Sequence, residues 1–518
     1  MYLTGYTAIR MPPKHGREEI RMPFVPFSRA LRLESEVLDE TLRPCSRFKS
    51  PLSWEERMDV RIAQLGSKMS SRKNAVLVTD GIPLNWSALV RYLHARGITD
   101  STRFSFPSIR NDAPKNFSVR LSPRSDTTDT DGRVVGRHGF GSTSSSEESM
   151  SRAVGELLER YSLSVYRRDS LYKASFNEAR TKHRVLDIHA LNDFLPWQKE
   201  KFPAYVRGAD RMIRWVSGRE LLSDTEALIP AHLAYWNYKF EKNEMALAQP
   251  NTNGGAGHFT RDEAILAALL ELIQRDGFLI YWLNSLSPKV LDASTIVDTE
   301  IKDFLKYLRR YRLEYYFLNI TTDIGVPACA CILIDTAGEE PIVTVGGGSG
   351  FSLKELIFQS AGEALAIHAG VSSRAAHILP DTYEPFVDAK MGRDERLSLW
   401  RGRNMHERFK FFISGARQSF EGFMGEVVRH DTPAKQLAYI LGRFRQLGAG
   451  YEAYIFEAAH PVLKTLGYTA VKAVVPRLMH LYLNEHMATL AAPRLRDVPP
   501  KLGYTPAATL NPLPHPFP

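Results

Sequence analysis

One pattern constrains this chain more than any other: an acidic helical segment that occurs twice. The first copy, in SSSEESMSRAVGELLERYSL, carries Glu148, Glu156, Glu159 and Arg160; the second, in GGAGHFTRDEAILAALLELIQRDGF, carries Glu263, Glu271, Gln274 and Arg275. The offsets within the two sets are the same. Residues three, four and eight positions apart share one broad helix face, so each copy sets oxygen ligands and a guanidinium along a stripe. The remaining positions are apolar enough to bury the opposite side, with Val154, Leu157 and Leu158 in the first copy and Leu266, Leu269, Leu270 and Ile273 in the second. Two such stripes facing each other suit Mg2+ and a polyphosphate, because carboxylates bind the metal and arginine the phosphate oxygens. Glu and Arg at helical spacing more often form a solvated face with weak ion pairs. The repetition, each time after a Gly/Ser- or Gly/Asn-rich lead (GRHGFGSTSSS, QPNTNGGAGH), favours the ligand-binding reading.

Bulk properties exclude more than they assign. The 518 residues allow two or three cores, or one large α/β domain with an added module. No apolar run approaches a membrane span, and MYLTGYTAIRMPPKHGREEIR lacks the apolar core of a signal peptide. A cytoplasmic location without a membrane partner is expected. Three cysteines, Cys45, Cys329 and Cys331, are too few and too odd for a disulfide framework. Cys329 and Cys331 share one face of the strand GVPACACILID; without a neighbouring His or Cys cluster, two small core residues are expected rather than a metal hook. The net charge of +9 sits in residues 1–125, which hold 21 Lys and Arg against 12 Asp and Glu. A basic N-terminal module suits an acidic peptide, nucleic acid or another subunit, or only keeps a surface soluble. Zinc-finger spacing and an RNA-binding sheet signature are both missing from it, so no nucleic-acid role is expected.

Along the chain, a helix is expected near SWEERMDVRIAQLGSKM. The strand NAVLVTDG and the helix SALVRYLHARGI suggest a small α/β unit before residue 100, and SPRSDTTDTDGRVVGRHG reads as a loop. From residue 135 strands and helices alternate, with helices over 147–168, 261–283, 299–311 and 433–447 and a charged helical region over 392–430. RLEYYFLNI, ACACILID, YEAYIFEA and AVKAVVP read as strands, and VTVGGGSG feeds the helix LKELIFQSAGEALAIHAG. This interleaving predicts α+β or α/β with a mixed sheet. The repeated acidic helix suggests an internal duplication and a pseudo-symmetric core. In the tail, Pro512, Pro514, Pro516 and Pro518 alternate with other residues, which favours extended polyproline II geometry. Such a tail is steered into a cleft, frayed, or a docking peptide for a proline-binding domain.

Four stretches together resemble the YcaO-domain family, and within it the cyclodehydratases of thiazole/oxazole-modified peptide biosynthesis. They are GFGSTSSSEESMSRAVGELLERYS, NTNGGAGHFTRDEAILAALLELIQRD, GVPACACILID to VGGGSG, and RLRDVPPKLGYTPAATLNPLPHPFP. The resemblance runs from about residue 130 to the C-terminus. It implies an α+β, YcaO-like fold with a pseudo-duplicated ATP-binding core over 126–518, ending in a proline-rich tail over 507–518. Residues 1–125 form the preceding module for partner or leader docking. It implies ATP between the two helices, bound by Glu156, Arg160, Asn253, Glu263, Arg275 and Arg152, with Mg2+ held by Glu156, Glu159, Glu263, Glu271 and Gln274. It also implies that the tail prolines, Pro512, Pro514, Pro516 and Pro518, place the terminal carboxylate near the reacting amide of a ribosomally made precursor peptide. There a Cys, Ser or Thr side chain closes an azoline ring. A separate leader-binding, ubiquitin-activating-enzyme-like partner is implied, and a flavin dehydrogenase is a further candidate partner.

The chain departs from the family pattern at three places. Arg152 stands where a serine is expected, Gln274 replaces a carboxylate, and His368 lies near the third helix where an arginine is usual. The alternatives are a YcaO enzyme forming thioamides or amidines, and a non-catalytic YcaO-like scaffold of a peptide-modifying complex.

Overall fold

A glycine on a strand lets the following helix lie flat against it, and this chain uses that device at two matching places. The first place is near the start of the described residues. These are 78–79, 82–83, 86–105, 117–123, 138–143 and 146–517, apart from 243, 373, 388–392 and 426–429, in the computed structural model. Of the two units into which the chain divides, Met1–Met58 and Asp59–Pro518, they belong to the second. The helix expected over 53–69, most of the loop over 122–139, Cys45 and Pro518 lie outside them.

Helix α1 (Trp86–Ala95) precedes strands β1 (Thr99–Ser105), β2 (Phe117–Pro123) and β3 (Gly139–Thr143), which form an antiparallel sheet in that order. The sheet joins residues on both sides of position 125. Helix α2 (Ser146–Ser162) packs on β3. A Cβ at Gly141 would lie 1.9 Å from Ser149 O, so only glycine permits the approach. The helix stops at Ser162 rather than 168. Ser162 Oγ donates to Leu158 O at 2.5 Å and Ser164 Oγ to Tyr161 O at 2.7 Å, and such back-bonding competes with the helical ladder.

The chain continues through β4 (Tyr172–Ser175), β5 (Met212–Glu220), β6 (Thr225–Pro230) and β7 (Gly255–His258) to the long helix α3 (Arg261–Leu283). Next come β8 (Lys289–Leu291), α4 (Thr299–Arg310), β9 (Leu313–Asn319), β10 (Ala328–Asp335), β11 (Ile342–Ser349) and α5 (Leu353–Val371). Helices α6 (Arg403–Ile413) and α7 (Pro433–Leu447) follow, then β12 (Tyr454–Glu457) and β13 (Thr469–Val474). One sheet has the order β4-β5-β12-β13-β7, with β6 also paired to β5. The other has β11-β10-β9-β8 and, parallel to β8, the short strand Arg417–Gln418. The architecture is mixed α+β.

Helix α5 lies on β11 as α2 lies on β3. A Cβ at Gly346 would meet Ser360 O at 2.2 Å. Alternation along β10 splits its side chains between two cores: Cys329, Cys331 and Leu333 face α4 and α5, while Ala330, Ile332 and Ile334 join the residues around α3. Both cysteines are therefore buried core residues, with Cys329 Sγ 3.7 Å from Ser360 Oγ. Helix α3 starts at the N-cap Thr260, whose hydroxyl oxygen accepts from Glu263 N. Its first half packs with Val471 and Ala473 of β13, its second half with Ala330, Ile332 and Val345 of the other sheet. It thus runs between the two sheets and holds its polar stripe at their junction.

Candidate functional site

Helices α2, α3 and α5, each fed by a glycine-bearing strand, line one cleft of about 950 Å3. Glu156 and Glu159 enter it from α2, Glu271, Gln274 and Arg275 from α3, and Glu363 from α5. Most of these acids are tethered. Glu156 accepts from Phe140 N at 2.5 Å and pairs with Arg160 at 2.5 Å, while Arg160 donates to His138 O at 2.7 Å. Glu271 pairs with Arg275 at 2.8 Å, and Arg275 donates to Asn253 Oδ1 at 3.1 Å. Glu363 accepts from Gly347 N at 2.7 Å. Each pairing fixes a side chain against a strand or turn beside the cleft.

Glu159 differs from them. Its side chain makes no hydrogen bond or ion pair with a described residue. Burial and the neighbouring charges of Glu271 and Glu156 push its carboxyl up to about 8, against the opposing pull of Arg160 and Lys472. A carboxylate crowded by two others is where a cation is most welcome.

The other expected residues fall as follows. Arg152 lines the cleft in an exposed pair with Glu148 at 2.8 Å. Glu263 lines it too, held by the Thr260 hydroxyl and by His258 Nδ1 at 2.7 Å. It lies eight residues from Glu271, about 12 Å along the helix axis, so the two address different parts of a ligand. Asn253 is buried behind Arg275. His368 pairs with Asp335 at 2.8 Å and is not among the cleft-lining residues.

The proline tail is not frayed. Asn511 N donates to Leu283 O at 2.7 Å, Trp282 Nε1 to Leu513 O at 3.2 Å, and Arg396 to His515 O at 3.2 Å. Pro514, His515, Pro516 and Phe517 are buried, whereas Pro512 is exposed. The Phe517 ring lies tilted against Phe278, with centroids 4.8 Å apart, and 5.9 Å from the Arg275 guanidinium, and with Gln274 it crowds the Gly347 Cα. The last described residue thus stands against three residues of the cleft wall.

The family described as YcaO cyclodehydratase, ATP- and Mg2+-binding, matches residues 140–479, a span that holds all three helices. The chain belongs to the YcaO family. An uncharacterized protein of Methanothermobacter thermautotrophicus is 30% identical over 139 residues, 26% of this chain and 36% of that protein. The chain therefore spans little more than a third of that relative's length. Among solved structures, a heterocyclase in complex with substrate and cofactor superposes with a TM-score of 0.65 at 20% identity, over 88% of this chain and 57% of its own. YcaO from Methanopyrus kandleri, bound with AMPPCP and Mg2+, gives 0.53 at 15% identity, over 78% and 93%. At these identities the likeness is one of fold.

ATP and Mg2+ are the cofactors of YcaO proteins, and the residues of this cleft fit them. Asn253 Nδ2, Arg275 Nε and Ser349 Oγ are buried without a partner, polar atoms in want of one. Among the described residues no three Asp, Glu, His or Cys groups form a ready-made metal cluster. Mg2+ does not need one, since it is usually held by one or two carboxylates plus substrate phosphates. Glu156, Glu159 and Glu271 line the cleft as the residues that would supply those carboxylates, and Arg152 and Arg275 as those that would meet phosphate, whereas Arg160, paired to Glu156, is not among the cleft-lining residues. Reading the two repeated helices leaves out Glu363 and Lys472. The glycine-rich strand before α5 signals Glu363, but no arginine follows it at the spacing seen in α2 and α3. No local pattern signals Lys472.

Proposed function

We propose that this YcaO protein is an azoline-forming cyclodehydratase. A Cys, Ser or Thr side chain of a precursor peptide attacks the preceding backbone carbonyl, and water is lost as the ring closes. The observation that carries the reading is the buried tail, whose Phe517 lies with Gln274 over Gly347 and beneath the Arg275 guanidinium at the edge of the cleft. An amide oxygen is a poor leaving group; bound Mg-ATP supplies the phosphoryl group that makes it a good one. Such transfer asks a protein mainly for positioning and charge neutralisation. Arg275, steadied by Glu271 and Asn253, is a cation held in fixed orientation for phosphate oxygens, and Arg160 steadies Glu156. Glu159 and its neighbours hold the metal. Pro518 follows Phe517 directly, and its carboxylate is the group to accept the nucleophile's proton. The likeness in fold to a heterocyclase solved with substrate and cofactor supports the same reading.

The reading includes a separate leader-binding subunit of the ubiquitin-activating-enzyme type, which residues 1–125 help to dock, and a flavin dehydrogenase that oxidises the rings. The test incubates the full chain with its partner, a Cys/Ser/Thr-rich precursor and Mg-ATP. The peptide is expected to lose the mass of one water per ring as phosphate is released. Exchange of oxygen for sulfur in the product mass identifies a thioamide-forming enzyme instead. Tight peptide binding with no mass change and no phosphate identifies a scaffold.

A further inference from the structure

A lysine lies buried beneath the cleft, contributed by neither acidic helix. Lys472 stands on β13 with 4% of its surface exposed, and a buried ammonium is costly unless negative charge matches it. Lys472 pairs directly with Gly255 of β7, and directly opposed residues of an antiparallel pair project to the same face. On that face Gly255 contributes no side chain, and a Cβ there would lie 2.8 Å from Glu159 Oε1. The space left by Gly255 is where the Glu159 carboxylate sits beside Lys472. The charges of Glu271 and Glu159 support the ammonium, and that of Arg275 opposes it. Its Nζ is anchored on Asn251 O at 2.6 Å, so it cannot swing away into solvent.

Resting on the reading of the cleft as the Mg-ATP site, we infer that Lys472 is a tethered counter-cation, a positioning residue that compensates Glu271, and Glu159 once it ionises, until nucleotide brings the metal. Three fixed cations then face the acids of the nucleotide-free cleft: Arg160 on Glu156, Arg275 on Glu271, and Lys472 between Glu159 and Glu271. Mg2+ alone meets carboxylates already compensated or protonated and binds weakly. A polyphosphate adds the negative charge that readmits it. Metal uptake thus becomes conditional on ATP.

The test uses the full-length protein at a pH below 7, where Lys472 keeps its charge, and Mn2+ as the probe, with free Mn2+ followed by electron paramagnetic resonance, without nucleotide and with a non-hydrolysable ATP analogue. Lys472→Met removes the charge at similar length; Lys472→Gln removes it but keeps a donor toward Asn251 O and serves where the methionine variant does not fold. Nucleotide-free affinity for Mn2+ is expected to rise about tenfold or more, since a neighbouring unit charge at low effective dielectric is worth at least that. The gain from adding the analogue should shrink, and Lys472→Arg should behave as wild type. Damage to a merely structural prop would weaken Mn2+ binding. Unchanged or weaker nucleotide-free binding in a variant that melts like the wild type overturns the inference and leaves the nucleotide reading intact. A wild type that takes up no Mn2+ even with the analogue overturns both.

Discussion

Burial takes the Glu159 carboxylate out of water, and its ionisation adds a negative charge beside Glu271 and Glu156, which is why the carboxyl is lifted from the usual 4.5 to about 8. Below pH 8 the side chain is mainly protonated in the nucleotide-free protein. A divalent cation binds the ionised form, so binding expels the proton. Metal affinity should therefore fall as pH is lowered below about 8, by up to about tenfold per unit, and level off above it. Lys472, pushed down to about 7 chiefly by burial, loses its charge as pH rises through the same interval, which acts in the same direction. Calorimetric titration of Mg2+ with an ATP analogue, in buffers of different ionisation heat, should register proton release at pH 7. In Glu159→Gln the release and the pH slope should both shrink to what Lys472 alone contributes; their persistence at wild-type size would remove Glu159 from the metal site. The stripe to which Glu159 belongs is legible in the sequence because helical periodicity assigns Glu156, Glu159, Glu271 and Arg275 to faces without further information. Lys472 is not legible. A lone lysine in AVKAVVP gains its meaning only from its pairing with Gly255, a contact between distant parts of the chain.

At the scale of elements, the close approach of helix to strand at Gly141 and Gly346 fixes how far the acidic side chains reach into the cleft. Gly346→Ala drives a methyl toward Ser360 O, 2.2 Å from the ideal Cβ position, so α5 must lift off β11 and carry Glu363 with it. The expected cost is about 2 kcal/mol or more. Gly442, in the exposed-sided helix α7, has no atom within 4 Å of a Cβ; alanine there should stabilise by about 0.5–1 kcal/mol through helix propensity alone. Urea denaturation of the two variants should move in opposite directions, and a Gly346→Ala protein as stable as wild type would contradict the described packing. The bounds of α3 and α7 match the sequence expectation because each combines long apolar periodicity with a threonine N-cap, Thr260 and Thr432. TDSTRFS and FSVRLSP have no such length or cap. TDSTRFS is too polar for a strand pattern and becomes β1 only by pairing with β2, whereas in FSVRLSP the strand signal is a short alternation of Phe117, Val119 and Leu121 with polar residues. The first acidic helix is overextended in the sequence because apolar spacing continues past Ser162, where serine back-bonding ends the ladder.

Across the whole molecule, long-range polar links decide where the chain end is delivered. Arg494 grips both oxygens of Asp276 on α3 at 2.7 and 2.6 Å and also reaches Asp323 at 2.9 Å and the Tyr451 hydroxyl at 2.6 Å. Arg396, paired in full burial with Glu485 at 2.5 Å, holds the His515 carbonyl. Alternating prolines make the extended form of this tail legible, yet they do not reveal its address, because stiffness is local and docking depends on groups such as Arg396 and Trp282. Two truncations separate anchoring from chemistry. Removing Pro518 alone keeps Phe517 beneath Arg275 but draws the terminal carboxylate back by about 3 Å. The melting temperature and binding of an ATP analogue should stay at wild-type values, while ring formation falls about a hundredfold, as expected for a misplaced reacting group. Removing Pro514–Pro518 also takes away the Phe517 ring, buried against Phe278, and should destabilise the fold by about 3 kcal/mol or more. Nucleotide binding should then weaken as well, because Arg275 loses the ring that covers it. Rings formed at the wild-type rate by the single-residue truncation would leave the terminal carboxylate with no part in the reaction, and the buried tail would be a structural anchor of the cleft wall alone.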